Sequence, residues 1–278
     1  FMKTSFAICL LTGLLLVTGH AVGDVTTIVD TTPGSATNDG VIGKGEYVGF
    51  STGINGGFGN VIGSESQLFV DSSNTGSLNF GLRRGSGGFF DAGVIYIDTG
   101  SGGLNGTAAI SDISSRGRAA ISGDGEFGDS SELIFAPGFN ASYAVALSYQ
   151  FGVFAELYRI EGDGALTFVS EGNISPAMID PNSPETEWEF SLSDLGLSNG
   201  DSFDYIATYL NPGNAFRSDE FHGVSQTTVP GGNIGNGGTT FTLAPGDFNT
   251  FVTVPEPTAA GMALALTGCL AMRRRRLC

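Results

Sequence analysis

The sequence predicts an all-β protein: a single β-sandwich domain, jelly-roll-like, between an N-terminal signal peptide and one short C-terminal transmembrane helix. Glycine accounts for 44 of the 278 residues and is spread so evenly that no long helical period can run through the domain. Short runs rich in β-branched and aromatic residues recur instead, and turn residues separate many of them. Evenly spaced strands with turn signals are typical of sandwiches and jelly rolls.

The predicted strands follow one another along the domain, with the clearest hairpin at Asp163-Gly164, where both residue types accept a positive φ. The predicted strands are 46–51, 67–70, 77–82, 92–98, 132–135, 143–148, 153–160, 166–170, 187–192, 203–210 and 239–243. Residues 246–253 are expected to form either an edge strand or a tether that leads to the C-terminal segment.

Two aromatic positions carry an expectation about burial. Trp188 alternates with Phe190, so we expect Trp188 to point into the core and Glu187 to point the other way. Phe89 and Phe90 are adjacent at the entry to a strand, so one of the two rings is expected to point outward.

The N-terminus has the features of a secretory signal peptide. Lys3 precedes an apolar stretch at 6–17, and Ala21-Val22-Gly23 supplies the small residues of a cleavage site. The chain is therefore divided into a signal peptide (1–23), a lead-in (24–38), the β-sandwich domain (39–253) and a C-terminal tail (254–278).

A proline-containing motif, an apolar segment and a basic cluster end the chain in that order. The motif consists of Val254, Pro255, Glu256 and Pro257, and the basic cluster consists of Arg273, Arg274, Arg275 and Arg276. The apolar segment, 258–272, has 15 residues and is about 22 Å long as a helix. It is shorter than the segments of roughly 20 residues that usually span a bilayer. Because the arginines resist translocation, the domain is expected outside the membrane and the arginines inside.

This arrangement resembles the bacterial PEP-CTERM sorting signal, element by element from Val254 to Arg276. The resemblance implies that an exosortase-type membrane protease recognises the tail after signal peptidase and the general secretion machinery have exported the chain. It also implies a transient anchor in the inner membrane, followed by the cell surface or an extracellular matrix, often beside exopolysaccharide. The alternative is a tail anchor that is never cut, and the sequence leaves the cleavage site and the fate of the protein open.

The cysteines lie outside the domain, since Cys9 is in the signal peptide and Cys269 and Cys278 are in the tail. An exported domain without disulfides must depend on its own hydrophobic core, and a domain of this length is large enough for that.

The domain is strongly acidic. Without Lys3 and the four tail arginines, 12 − 5 = 7 basic residues face 28 acidic ones, a formal charge of −21. This charge argues against nucleic acid or anionic lipid as a direct partner and is consistent with a soluble extracellular protein or with divalent cations. Most of the acidic side chains are expected to be solvated.

Several stretches resemble, in order, DOMON-like and family-nine carbohydrate-binding β-sandwich modules. They are Asp39-Gly40-Val41-Ile42-Gly43-Lys44-Gly45-Glu46-Tyr47, Leu68-Phe69-Val70-Asp71, Asp91-Ala92-Gly93-Val94-Ile95-Tyr96-Ile97-Asp98 and Ser191-Leu192-Ser193-Asp194-Leu195-Gly196-Leu197. The resemblance covers residues 39–222 and implies a sugar- or cofactor-binding heritage, without naming the ligand.

The residue inventory favours a protein that is not an enzyme. His222 is the only histidine left once the signal peptide with His20 is removed, which limits triads and excludes a zinc site built from several histidines or cysteines. A carboxylate pair would suffice for glycoside hydrolysis, so a secreted hydrolase is one alternative. A structural matrix subunit without affinity for glycans is the other.

No cofactor is predicted, but calcium is possible at two acidic stretches. The run that begins at Asp71 loosely imitates a calcium loop, although a hairpin turn explains it as well. Asp124, Glu126 and Asp129 gather three carboxylates in one glycine-rich loop, and a solvated acidic loop is the alternative there.

The segment 211–222 is predicted to be the ligand-binding loop, because it follows an apolar strand and brings aromatic, basic and acidic side chains to the only histidine. The candidate binding residues are Phe216, Arg217, Asp219, Glu220 and His222. Alternatively, Arg217 forms an ordinary surface ion pair with Asp219 or Glu220.

Overall fold

Two β-sheets that face each other make up most of the structure. The computed structural model describes residues 26–32, 34–149, 152–229 and 231–253. The predicted signal peptide, cleavage motif, apolar segment and arginine cluster lie outside these described residues. Within them, no helix is both long enough and apolar enough to cross a bilayer.

The protein is mostly strand, as the sequence predicts. The strands are β1 (Thr27–Val29), β2 (Gly49–Thr52), β3 (Gln67–Ser72), β4 (Ser77–Arg83), β5 (Ala92–Asp98), β6 (Ser130–Ile134), β7 (Tyr143–Ser148), β8 (Phe154–Ile160), β9 (Leu166–Glu171), β10 (Asn173–Ile174), β11 (Glu185–Ser191), β12 (Ser202–Asn211), β13 (Phe216–His222), β14 (Gly237–Thr242) and β15 (Asn249–Val252). One helix, α1 (Arg116–Ser122), and two 3-10 turns at Pro176–Ile179 and Leu192–Leu195 complete the structure of the described residues.

The larger sheet has eight strands in the order β1-β15-β12-β5-β7-β8-β9, with β13 also paired to β12. The second sheet has five strands in the order β10-β11-β4-β3-β2, and β14 pairs with β6 in a small separate sheet. Neighbouring strands are antiparallel except in the pairs β1–β15 and β6–β14, which are parallel.

The main core lies between the two large sheets. Trp188 on β11 is fully buried there and stacks on Phe80 of β4, with ring centroids 5.7 Å apart and an interplanar angle of 9°. The predicted burial of Trp188 is thus confirmed. Phe89 is buried and Phe90 is 44% exposed, which confirms the prediction that one ring of the pair points outward.

A second core covers the other face of the larger sheet. Tyr96 on β5 and Phe221 on β13 belong to it, and α1, β6 and the loops before β15 close it off. Strands β5 and β7 are therefore buried along their whole length, since both of their faces are covered. Near-continuous apolar runs are what such doubly covered strands require.

The hairpin at Asp163-Gly164 forms as predicted. Strands β8 and β9 pair in antiparallel fashion, and Glu161 N donates to Ala165 O at 2.9 Å across the turn. Gly164 has φ +88°, and a Cβ at that position would lie 1.9 Å from Ala109 O, so the turn needs glycine there for both reasons.

Several elements were not predicted, among them helix α1 and strand β1. Helix α1 begins after Ser115, whose Oγ accepts a hydrogen bond from Arg118 N, and ends at Gly123, which has φ +73°. Strand β1 pairs with β15, so the larger sheet starts inside the segment that we assigned as a lead-in. Residues 249–252 form a strand flanked on both sides, by β1 and β12, rather than an edge strand or a tether.

Strand β2 begins later than predicted because Glu46 is committed to the preceding loop. Its carboxylate accepts hydrogen bonds from Thr37 N at 2.8 Å and Gly43 N. Beside it, Glu187 does face away from Trp188, but it is buried rather than solvated. Its two oxygens accept from Gly40 N at 2.6 Å and from the Tyr47 hydroxyl at 2.8 Å.

Candidate functional site

Strand β13 replaces the predicted ligand-binding loop. The segment 216–222 pairs with β12, so the prediction of a surface loop is wrong there, and only 212–215 form the turn. Four of the five candidate residues are at most 3% exposed, with Phe216 alone half-buried. The buried residues are Arg217, Asp219, Glu220 and His222. Their polar groups bind neighbouring loops instead of solvent.

Glu220 holds the connection between β2 and β3, residues 53–66, which we call the β2–β3 loop. Its carboxylate accepts four backbone amides of that loop: Phe58 N at 2.8 Å, Asn60 N at 3.1 Å, Val61 N at 2.8 Å and Ile62 N at 2.8 Å. Burial raises the pKa of Glu220, and the four amide donors oppose that shift by stabilising the carboxylate.

Asp219 joins the β2–β3 loop to a second loop. Its Oδ1 accepts Gly57 N at 2.7 Å and its Oδ2 accepts Gly232 N at 2.6 Å. A Cβ on Gly57 would lie 2.3 Å from Asp219 Oδ1 and 2.0 Å from Asn233 Oδ1, so only glycine lets the chain approach this closely.

His222 on β13 binds strand β2 and the end of the β2–β3 loop. Its Nδ1 lies 3.1 Å from Ser51 Oγ and its Nε2 lies 2.9 Å from Ser66 Oγ. Ser66 Oγ donates to Gly63 O at 2.7 Å, which assigns the ring proton to Nε2 and leaves Nδ1 to accept from Ser51. Burial lowers the pKa of His222 to about 3, so the ring is neutral at physiological pH.

The direction of these hydrogen bonds distinguishes Ser66–His222 from a catalytic pair. The distance suits a nucleophile and its base, but the serine gives its proton to a carbonyl and not to the imidazole. Both residues are also buried. The geometry is that of a structural hydrogen bond between buried residues.

Arg217 makes no surface ion pair, so that expectation is wrong. Its guanidinium is fully buried and donates to Ser131 O at 3.2 Å and 3.0 Å and to Thr208 Oγ1 at 3.1 Å. Burial lowers the pKa of Arg217, and the neighbouring Tyr96 hydroxyl opposes that shift.

Phe216 belongs to a group of aromatic rings near the turn between β12 and β13, which we call the aromatic end. Phe58 of the β2–β3 loop stacks on Phe216 with centroids 5.5 Å apart and packs edge-on against Tyr209 at 5.8 Å. Phe127 is 80% exposed, and its Cε2 would lie 3.8 Å from a Cβ on Gly213. Phe90 is 44% exposed, and the backbone amide of the next residue, Asp91, donates to the Tyr209 hydroxyl. The aromatic end thus consists of Phe58, Phe90, Phe127 and Phe216.

Polar groups stand among these rings. Asn211 Nδ2 donates to Asp91 Oδ1 at 2.7 Å, while Asn211 Oδ1 accepts Gly213 N at 2.9 Å. Burial raises the pKa of Asp91, and the bond from Asn211 opposes that shift. Asn214 caps the start of β13 by accepting Phe216 N at 3.1 Å. Exposed rings beside half-buried amides and a carboxylate are the groups that a polar ligand with apolar faces requires.

The calcium candidates do not come together. Asp71 is buried on β3, where its Oδ2 accepts Ala36 N at 3.0 Å and burial raises its pKa to about 7. Its Oδ1 has no hydrogen-bond partner among the described residues. Asp124, Glu126 and Asp129 remain in one loop. In the described part of the chain, no three His, Cys, Asp or Glu side chains form a group that could hold a metal. Calcium remains a prediction.

One pair of carboxylates bears on the hydrolase alternative. Asp98 on β5 and Asp204 on β12 are opposite each other in register. Burial raises the pKa of Asp204, and Asp98 adds to the shift. However, Asp98 accepts Gly100 N at 2.8 Å and Asn140 N at 2.6 Å, so both of its oxygens are occupied in holding turns.

Most acidic side chains of the described residues are not buried, in line with the expectation, but those that organise the fold are. Asp30, Asp71, Glu187, Asp219 and Glu220 are each at most 3% exposed. The sequence reasoning also missed Phe58 and Phe127 as members of the site. The signal that could have pointed to them is a single aromatic residue set within glycines, as in Gly56-Gly57-Phe58-Gly59.

Comparison with models of known protein families and with curated proteins gives no match for this chain.

Replacing Glu220 by glutamine should destabilise the protein by about 2–4 kcal/mol, because an amide has only one acceptor oxygen and its NH₂ group would face amide donors. Urea denaturation followed by tryptophan fluorescence measures the change. Glu65→Gln, at an exposed position of the same loop, is the matched control and should alter stability by less than about 0.5 kcal/mol. Equal effects of the two substitutions would contradict the assigned role of Glu220.

His222 should make the protein sensitive to acid. Its pKa is about 3 when folded and near 6.5 when unfolded, so the unfolded state binds the extra proton and stability falls as the pH drops below 6.5. Between pH 7 and pH 5 this contribution amounts to about 2 kcal/mol. Asp71, whose pKa is about 7 in the folded state, acts in the opposite sense throughout that range, so the measurement is a difference: the free energy of unfolding of the wild type relative to that of His222→Gln should fall by about 2 kcal/mol between pH 7 and pH 5. An unchanged pH slope would show that His222 takes up its proton in the folded state.

Proposed function

We propose that this chain is an exported, non-catalytic protein that binds polysaccharide through its aromatic end and acts at the cell surface or in an extracellular matrix. The observation that carries the proposal is the exposure of two rings near the stacked pair Phe58–Phe216: Phe127 lies against the turn that precedes Phe216, and Phe90 precedes Asp91, whose amide binds the hydroxyl of Tyr209, a neighbour of Phe58. Flat rings bind the apolar faces of sugar rings, and the neighbouring amides bind hydroxyl groups.

The rigidity of this end supports a binding role. Phe58 is held by the amides that Glu220 and Asp219 accept, and the turn before Phe216 is held by Asn211 and Asn214. Rings that are already placed lose less conformational freedom when a ligand binds. The two-sheet architecture is compatible with a jelly-roll carbohydrate-binding heritage, which we retain as part of the proposal.

The acidic charge makes a neutral or cation-bridged polysaccharide a better ligand than a densely anionic one. The domain carries 28 acidic and 7 basic residues between 24 and 257, once Lys3 and the four tail arginines are set aside. Repulsion between like charges lowers both the rate and the strength of association.

Sorting by an exosortase through Val254–Pro257 and Arg273–Arg276 remains part of the proposal, supported by the order of the three tail features in the sequence. Strand β15 ends at Val252, so the motif follows the last strand almost directly and would be presented close to the folded domain.

The glycan proposal is tested by titrating the purified chain with exopolysaccharide isolated from its own host and following the heat of binding. Phe127→Ala and Phe90→Ala should each weaken binding roughly fivefold, about 1 kcal/mol, because each removes one exposed ring. Phe168→Ala is the matched control, since Phe168 is 49% exposed but lies on β9. Absence of binding, or an equal loss with Phe168→Ala, would refute the assignment of the aromatic end.

The sorting proposal is tested by intact-mass analysis of the protein in each fraction of its host. We expect an extracellular species that starts near Asp24 and ends near Pro257. A membrane-bound species that keeps Arg273–Arg276 would instead establish a tail anchor that is never cut.

A further inference from the structure

Strand β14 leaves one edge open. It pairs with β6 on one side, and no strand among the described residues pairs with its other side. Five of its six residues are exposed. An open edge offers a row of backbone donors and acceptors to any strand that can approach.

The direction of these backbone groups follows from the pairing with β6. Leu243 N donates to Ile134 O at 2.9 Å, just beyond the end of β14. Alternate residues of a strand direct their backbone groups to the same side, so the amides and carbonyls of Thr240 and Thr242 face the open edge. Both threonine side chains are also exposed and lie on one face of the strand.

The segment around β14 differs from the rest of the domain in charge. Residues 223–246 contain no Asp, Glu, Lys or Arg, although the domain as a whole carries a formal charge of −21. Strand β9, at the end of the larger sheet, carries Glu171 and pairs with β8 through a bulge. Charge and bulges are the usual means by which an edge is kept from pairing. The register shift of β14 lies between Gly237 and Thr239, so Thr239–Thr242 pairs regularly, and this stretch has no charged residue of its own, although Thr240 Oγ1 donates to Glu132 of β6 at 3.1 Å.

We propose that β14 pairs with β14 of a second copy of this chain, antiparallel and about a two-fold axis, to form a homodimer. An antiparallel pair of identical strands is self-complementary, as a two-fold interface requires. Two copies of this acidic domain repel each other, so an edge strand without charged residues is the surface at which they can approach most easily. Threonines opposite each other across the axis form favourable cross-strand pairs.

The inference goes beyond polysaccharide binding and does not depend on it, because β14 and the aromatic end share no residue. A dimer would carry two aromatic ends and could bind one polymer at two points.

The test is sedimentation of the purified full-length chain in a mild non-ionic detergent over a range of about 1 µM to about 1 mM. The apparent mass should rise from one copy to two, and added salt should favour the dimer by screening the repulsion. Thr242→Lys, which brings two like charges close to the axis, and Thr242→Pro, which removes an outward-facing amide, should each raise the dissociation constant at least tenfold. Thr167→Lys on the edge strand β9 is the matched control and should leave it unchanged.

Circular dichroism of each variant verifies the fold, which these exposed positions should preserve. A wild-type chain that stays monomeric over the whole range would overturn the proposal. A dimer that survives both Thr242→Lys and Thr242→Pro would overturn it as well, since the contact would then lie on another surface.

Discussion

The structure depends on one requirement: the backbone amides of the β2–β3 loop must find acceptors inside a domain that has no disulfide to hold the loop. Glu220 meets it by accepting four of these amides, and a buried amide left without a partner would cost about 1–3 kcal/mol. The position of Phe58, and through it the stack on Phe216, follows from this arrangement. A buried carboxylate therefore sets the shape of an exposed surface.

The same chemistry recurs around the molecule and changes the meaning of its acidic composition. Glu187 holds Gly40, Asp71 holds Ala36, and Asp247 accepts Ser225 N at 3.0 Å and Ala244 N at 2.7 Å. In a glycine-rich chain many loop amides are accessible, and carboxylates are the acceptors that bind them most strongly. Part of the negative charge thus lies on buried carboxylates that hold loops in place, and the surface is less acidic than the composition suggests.

Local patterns predicted the strands whose environment is uniform along their length. β5 and β7 were predicted with their observed bounds because both are unbroken apolar runs between turn residues. β13 was not, because Arg217, Asp219 and Glu220 are residue types that are seldom buried. Asp219 and Glu220 are covered by a loop more than 150 residues earlier in the chain, and Arg217 is bound by Ser131, 86 residues earlier. Helix α1 had its signals in Ser115 and Gly123, but it is only seven residues long and contains Gly117. Phe216 was predicted as a binding residue because it is aromatic. Phe58 and Phe127, which lie near it in the structure, come from distant segments of the chain that no local pattern links to it.

The placement of β15 has a mechanical consequence. Its hydrogen bonds join it to β1 on one side, with Thr27 opposite Thr250 and Val29 opposite Val252, and to β12 on the other. A pull on the chain beyond Thr253 acts along the strand axis, so it loads both ladders in shear and their bonds must fail together rather than one after another. A domain tethered through this strand would withstand tension from a flowing or contracting matrix better than one tethered through an edge strand that can be peeled away.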